Sequence, residues 1–276
     1  MERWAMPEGH VIHRLSGELT REFGGRRVRV SSPQGRFAAS ADLLDGRILR
    51  GADAYGKNLF IEFDVPGPEQ YVHIHLGLIG KLWLEPLAPP RGQVRLRIDD
   101  CTTAADLAGP QTCRLISAAE LEAVAASLGA DPLRPDAEPD RAWQRVHRSA
   151  RPIASLLMDQ RITAGVGNIY RCEVLFRHRI NPMTPGVRLK PASWRAIWAD
   201  LTELMPLGVD DGRIDTVRPE HTPEAMGRPP RVDRHGGEVY VYRRQHQPCL
   251  ACGREVRTRV LDGRQLYWCA TCQRRA

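Results

Sequence analysis

Met158-Asp159-Gln160-Arg161-Ile162-Thr163-Ala164-Gly165-Val166-Gly167-Asn168-Ile169-Tyr170 is the stretch on which the fold turns. Ahead of it, Ile153, Leu156 and Leu157 have the spacing of a helix face. After it, Ile169, Cys172 and Phe176 recur with helical period. Between the two expected helices, Gly165 and Gly167 permit a tight turn whose backbone comes close to a phosphate. Backbone N–H groups at the start of the second helix form an anion site. Asn168 is placed there to cap that helix or to donate to a phosphate oxygen. Taken alone, the segment fits an ordinary helical hairpin with an Asn cap better than a nucleic-acid reader.

The flanking sequence supplies the frame. Residues 8–25 read as a helix, with Val11, Leu15, Leu19 and Phe23 four apart and Gly24-Gly25 closing it. From 26 to 107 the period changes. Val28 and Val30, Leu59 to Phe63, and Val72, Ile74 and Leu76 read as strands, which predicts an antiparallel sandwich or barrel without a long helix. Ser117 and Glu120 have capping-box spacing before a helix at about 117–128. Three prolines in 131–140 mark a linker. Residues 141–206 are expected to be helical, with Trp194, Ile197, Trp198, Leu201 and Leu204 as one apolar stripe. Residues 207–236, polar and rich in Pro, Gly and Arg, read as a connection.

Cys249-x2-Cys252 and Cys269-x2-Cys272 stand 16 residues apart. Four thiolates at that spacing predict one structural zinc ion, each pair forming a knuckle. Two pairs in a 24-residue window favour metal over redox chemistry. Val256 to Trp268 alternates as a hairpin turning at Asp262-Gly263, which puts Arg264 at or just after the tip. The other three cysteines, Cys101, Cys113 and Cys172, read as small buried hydrophobes, and the odd total of seven argues against a disulfide framework.

The chain has 276 residues and a formal charge of +7, with an isoelectric point near 9.3. Its basic side chains are almost all Arg; the three lysines are Lys57, Lys81 and Lys190. That balance fits a polyanion partner, since the guanidinium matches phosphate with a planar fork of donors, though Arg-favouring codon usage gives the same composition. No run of about 18 apolar residues predicts a membrane span, and Met1 to Met6 is too short and polar for a secretory signal. A cytoplasmic protein without a membrane partner is the expectation.

Met6-Pro7-Glu8-Gly9-His10, the Met158–Tyr170 segment and the four-cysteine ribbon occur in one order. Together they resemble the formamidopyrimidine-DNA glycosylase and endonuclease VIII family over nearly the whole chain. The Pro-Glu-Gly-His opening is similar to the endonuclease VIII side, particularly its actinobacterial members. The resemblance implies a multidomain α+β fold: an N-terminal antiparallel β-sandwich with a leading helix, a central helix–two-turn–helix module, and a C-terminal zinc-ribbon β-hairpin. The implied divisions are 7–130, a linker at 131–140, 141–237 and 238–276, with 1–6 as an extension.

The same resemblance implies base-excision repair of double-stranded DNA carrying damaged bases or abasic sites, by a monomer acting in the bacterial nucleoid. Pro7 is the implied nucleophile. A secondary amine at a chain start condenses with an aldehyde carbon, and β,δ-elimination then cleaves the strand. Glu8 carries the proton-transfer role; its alternative is a first-turn carboxylate favoured by the helix dipole. Lys57 and Arg264 match residues that contact phosphates at the lesion. Gly167 and Asn168 match the helical module's DNA contacts. In His75-Leu76-Gly77-Leu78-Ile79-Gly80, Leu78 matches the wedge that fills the gap left by a flipped nucleotide, with Ile79 beside it.

The chain departs from the family at two places. Ala105 to Cys113 lacks the Arg and Phe that fill the void opposite the lesion in the formamidopyrimidine branch, so oxidised pyrimidines are favoured over 8-oxoguanine. Five residues, Met1 to Ala5, precede Met6; translation is expected to begin at Met6, because Pro7 carries a free amine only as residue one. A retained extension would favour a different class, a non-catalytic damaged-DNA-binding protein. A zinc-ribbon RNA binder is a third reading, weakened by the lack of a dense aromatic platform.

Overall fold

The computed structural model describes residues 7–233 and 237–274, so the expected extension lies outside the described residues. Helix α1 (Gly9–Phe23) joins the two halves of the molecule. Val11, Ile12, Leu15, Leu19 and Phe23 bury one face in the N-terminal core. The first turn instead meets the helical half, where Gly9 donates its N–H to the Gly165 carbonyl at 2.8 Å.

The N-terminal half is the expected antiparallel sandwich. One sheet has the order β1 (Arg26–Arg27), β3 (Ile48–Tyr55), β4 (Asn58–Asp64), β5 (Glu69–His75) and β9 (Thr112–Ser117). The other runs β2 (Arg29–Ser31), β7 (Val94–Asp99), β8 (Thr103–Ala108) and β6 (Lys81–Pro86). Alternate residues such as Leu59, Ile61 and Phe63 turn into the core between them. The sequence reading missed α2 (Ala38–Leu44), two turns held by buried Ala41 and Leu44, too short for a periodic signal. Helix α3 (Ala118–Ser127) starts on the expected capping box: Glu120 donates its N–H to the Ser117 hydroxyl, and its carboxylate accepts the Ser117 N–H.

Helix α4 (Pro139–His147) begins inside the stretch expected to be irregular, because proline at the first helical position loses no hydrogen bond. The preceding segment is clamped by Asp131. Its buried carboxylate accepts the N–H of Gly56 at 2.7 Å and of Leu133 at 2.9 Å, and meets His13 Nε2 at 3.0 Å. Helices α5 (Ile153–Leu156) and α6 (Asn168–Arg177) flank the glycine segment. Helix α7 (Pro191–Asp211) runs through Pro206, past the expected end at 206, and stops at Gly212 in the left-handed conformation. Trp194, Ile197, Leu201 and Leu204 bury the expected stripe; Trp198 is half-buried.

A short helix, α8 (Pro223–Met226), precedes the C-terminal hairpin of β10 (Arg257–Leu261) and β11 (Arg264–Trp268). Asp262 and Gly263, at φ 49° and 72°, form the two-residue turn between them, as right-twisted strands demand. The hairpin shares one apolar cluster with the helical module, in which Val174 and Leu201 join Tyr242, Val256 and Leu266. Fully buried Glu173 on α6 reinforces that union: its carboxylate accepts the N–H groups of Tyr240, Val241 and Tyr242 at 2.7–2.9 Å. Of the three scattered cysteines, Cys172 is buried and Cys113 half-buried. Cys101 is exposed in the β7–β8 turn at φ 76°, contrary to its expected burial. Among the described residues no helix is long and apolar enough to cross a membrane.

Candidate active site

Glu8 organises the site. It precedes α1 but makes no side-chain bond to that helix's N-terminus, so its alternative role as a first-turn carboxylate does not hold. It reaches instead across the molecule to the start of α6. One carboxylate oxygen accepts the Ile169 N–H at 2.7 Å; the other accepts Gly167 at 3.0 Å and Tyr170 at 3.4 Å. The expected anion site at this helix start exists, and its anion is Glu8. Hydrogen bonds to a charged group contribute about 1.5–3 kcal/mol each, and the helix dipole adds up to ~2 kcal/mol. These offset the desolvation of a carboxylate that is only 2 % exposed. Burial still dominates and pushes the Glu8 carboxyl above the usual carboxylate range, making it a weaker acid, against Lys57 and the three N–H donors. A carboxyl so tuned can hold and release a proton nearer neutral pH.

The glycines explain how the approach is made. A Cβ on Gly9 would lie 2.7 Å from the Gly165 Cα, so only glycine lets α1 meet the turn. Gly165 sits at φ 82°, where a side chain is strained. Gly167 is different. Its φ of −122° suits any residue, but a Cβ there would lie 2.2 Å from the Glu8 carboxylate carbon. It is glycine to admit Glu8, rather than for the expected turn geometry.

Pro7 is half-buried and lines a small cavity with Leu76, Gly80 and Lys81 at the foot of the β5–β6 turn. Lys57 follows Gly56 in the β3–β4 turn and donates from Nζ to the Val166 carbonyl at 2.9 Å. Gln160 donates to the same oxygen at 2.9 Å and accepts the Gly165 N–H at 3.0 Å, which pins the glycine segment. Loss of hydration lowers the Lys57 ammonium to about 8; Glu8 opposes the shift, and Arg264 and Arg171 add to it. Lys57 is therefore not a fully solvated lysine at a strand end.

Leu78 and Ile79 occupy the exposed β5–β6 turn, 59 % and 78 % accessible. The region without the Arg–Phe pair is strands β8 and β9 joined by Gly109, Pro110 and Gln111 alone. Gln111 packs against the turn: a Cβ on Gly77 would lie 2.9 Å from the Gln111 Cβ.

Asn168 does not cap α6; Gly167 holds the cap position, and Glu8 does the capping. Asn168 is instead the first helical residue, buried, with Nδ2 donating to the Gln265 carbonyl at 2.9 Å. Its Oδ1 accepts from Arg171. Gln265 follows Arg264, the residue that opens β11 immediately after the turn, as expected. Glu8, Lys57, Gly167, Asn168 and the Arg264 strand are therefore one constellation.

The sequence reading did not single out Arg171 or His75. His75 lies at the end of β5, where its Nδ1 accepts the Gly77 N–H at 3.1 Å. Burial and then Lys57 lower its imidazole. Its position just before the Leu78 turn was the available signal. His10, from the opening motif, packs edge-on to Tyr170 and is held neutral by burial, at about 3.

The four ribbon cysteines bring their sulfurs within 4.8 Å of one another. Cys249–Cys272 and Cys252–Cys269 are separated by 3.9 and 3.5 Å. A tetrahedron with Zn–S bonds of about 2.3 Å has edges of about 3.8 Å. The donor set and its spacing fit one structural zinc ion, and these residues would hold it.

Comparison with known proteins agrees with this arrangement. The family model of the formamidopyrimidine-DNA glycosylase N-terminal domain matches residues 6–110, and that of its H2TH domain matches 128–218. The model of the zinc finger found in FPG and IleRS matches 247–275. Endonuclease 8 1 of Mycobacterium tuberculosis is 49 % identical over 97 % of this chain and 100 % of its own. Formamidopyrimidine-DNA glycosylase of Thermus thermophilus is 34 % identical over 84 % of each chain. The crystal structure of the MutM (Fpg) protein from Thermus thermophilus superposes with a TM-score of 0.75 at 28 % identity, over 97 % of this chain and 98 % of that one. A Lactococcus lactis Fpg in complex with abasic-site DNA, at 22 % identity, shares the fold with a TM-score of 0.79 over 97 % of this chain and 100 % of that one. The chain belongs to the formamidopyrimidine-DNA glycosylase and endonuclease VIII family.

Proposed function

We propose that this protein excises oxidised bases from double-stranded DNA and cleaves the resulting abasic strand, as a bifunctional glycosylase and lyase. The observation that carries the reading is Glu8: a proton-holding carboxyl, built by two separate parts of the chain, directly follows the only residue type that offers a secondary amine at a chain start. The chemistry requires Pro7 to be residue one of the mature protein. Its nitrogen attacks C1′ and the base leaves with the electrons of the glycosidic bond; the C1′–O4′ bond then breaks, O4′ takes a proton, and the ring-opened sugar is left as an iminium on the Pro7 nitrogen. The iminium acidifies the C2′ proton; its removal expels the 3′ phosphate, and a second elimination expels the 5′ phosphate. Glu8 moves the protons.

Lys57 and Arg264 hold the phosphates flanking the lesion, with Gly167 and Asn168 placing the strand. Leu78, backed by Ile79, fills the gap left by the extruded nucleotide. Zinc, when bound, stiffens the hairpin that carries Arg264 and takes no part in the chemistry. The protein works as a monomer in the cytoplasm, at the nucleoid. Its working divisions are 7–130, 131–140, 141–237 and 238–276. Oxidised pyrimidines and abasic sites are the favoured substrates: the 49 % identical relative is named as an endonuclease 8, and only three residues join β8 to β9 where the other branch displays its Arg and Phe. A purely binding role is not favoured, since that identity extends over 97 % of the chain.

Borohydride reduction during reaction with an abasic-site duplex should fix the protein to DNA, with peptide mapping placing the adduct on Pro7. No adduct, or an adduct on Lys57, overturns the assignment.

A further inference from the structure

Arg171 is a buried cation whose presence stability alone does not explain. It is fully buried on α6, and among the described residues no carboxylate lies within ion-pair distance of it. One terminal nitrogen donates to Asn168 Oδ1 and, at 3.4 Å, to the Gln265 carbonyl; the other reaches the Ala154 carbonyl at 3.5 Å, and Nε has no hydrogen-bond partner. Burying a guanidinium on neutral acceptors costs several kcal/mol relative to a well-packed apolar side chain. The side chain it meets with a terminal nitrogen is Asn168.

An asparagine amide is ambiguous: either its oxygen or its NH2 can face outward. A phosphate oxygen only accepts, so a phosphate-binding Asn must present the NH2. Arginine only donates. A guanidinium behind Asn168 can bond only Oδ1, and the alternative orientation would set NH2 against N–H. Nδ2 carries two hydrogens; the Gln265 carbonyl takes one and leaves the other for a ligand.

We infer that Arg171 is a positioning residue: by holding Asn168 Oδ1 it fixes the amide with its donor toward the DNA, and by sharing the Gln265 carbonyl it ties that donor to the strand of Arg264. Full burial keeps Arg171 itself off the DNA. The inference rests on the proposed reading of Asn168 as a phosphate contact.

The test measures binding to a duplex carrying an uncleavable abasic-site analogue across a salt series. The proteins are the zinc-loaded wild type, Asn168→Ala, Arg171→Gln, Arg171→Lys and the double variant Asn168→Ala/Arg171→Gln. Loss of one hydrogen bond to a charged group predicts roughly tenfold weaker binding for Asn168→Ala and for Arg171→Gln. The double variant should be no weaker than either single one, because both remove one interaction. Arg171→Lys, still donor-only, should bind as wild type. A neutral contact releases no counterion, so the salt slope should stay the same throughout. A slope reduced by about 0.9 in Arg171→Gln would mean that Arg171 itself contacts phosphate and would overturn the inference. Additive losses in the double variant, or wild-type binding by Arg171→Gln beside weakened Asn168→Ala, would also overturn it. Wild-type binding by Asn168→Ala would refute the phosphate reading beneath it. Arg171→Gln can fold poorly; Arg171→Lys keeps the cation and its packing, and binding as weak as that of Asn168→Ala overturns the inference from that variant alone.

Discussion

Replacing Gly167 by alanine should disarm the site without altering any group assigned to chemistry. The backbone at Gly167, φ −122° and ψ −162°, accepts alanine without strain. The added Cβ, however, would lie 2.2 Å from the Glu8 carboxylate carbon, 2.4 Å from its Cγ and 2.6 Å from Oε1. Ordinary contact begins near 3.4 Å, so the carboxylate must retreat by about 1.2 Å. Motion of that size away from Gly167 would take the Ile169 N–H contact from 2.7 Å to about 3.9 Å, beyond hydrogen-bond range. Overpacking of this kind costs about 1–3 kcal/mol of stability. A misplacement near 1 Å at a reacting group costs on the order of 100-fold in rate. Single-turnover excision of an oxidised pyrimidine from a duplex is the assay, with thermal unfolding, zinc content and binding to an abasic-site analogue measured alongside. The expected result is a folded, zinc-loaded protein whose excision, measured with enzyme saturating the duplex, is slowed on the order of 100-fold. Excision within about threefold of wild type would show that Glu8 placement does not govern the chemistry, and the account of the site would fall.

Other outcomes follow from the same geometry. The Lys57 ammonium, lowered to about 8 by burial, loses its charge as pH rises through that value; if the charge is what holds phosphate, kcat/KM should fall above about pH 8. Lys57→Arg should remove that limb, and a wild-type profile flat to pH 10 would exclude the role. Leu78→Ala should change stability by less than about 0.5 kcal/mol, since the side chain is mostly exposed. It should slow excision from duplex but not cleavage of a single-stranded abasic oligonucleotide; equal effects on both would exclude a wedge. Stripping zinc with a chelator, followed by a chromophoric metal indicator and circular dichroism, should unfold the 257–268 hairpin and abolish lyase activity. Full activity after stoichiometric zinc release would contradict the linkage of Gln265 to Asn168.

The features legible in the sequence were those written over short spans. The cysteine spacing, the Asp262-Gly263 turn, the Ser117–Glu120 box and the α7 stripe each need only neighbouring residues, and each forms as expected. The family resemblance brought Glu8, Lys57, Gly167, Asn168 and Arg264 together without saying how they meet. Glu8 meets its donors across 159–162 residues, and Asn168 meets Gln265 across 97. No periodicity encodes such partners. Asn168 was therefore a candidate cap when the cap is a distant carboxylate, and nothing local set Arg171 apart in an arginine-rich chain. Pro139 was read as a breaker because proline stops a helix from within yet starts one at its first turn.

The carboxylate of Glu8 belongs to one half of the molecule and its N–H donors to the other. A growing or partly unfolded chain therefore carries an ordinary, solvated glutamate beside its proline. Its acidity becomes useful only when α1 has docked against the Gly165 turn. On the proposed role of Glu8, strand scission is interlocked with completion of the fold: an unfinished copy has the residues without the geometry that tunes them.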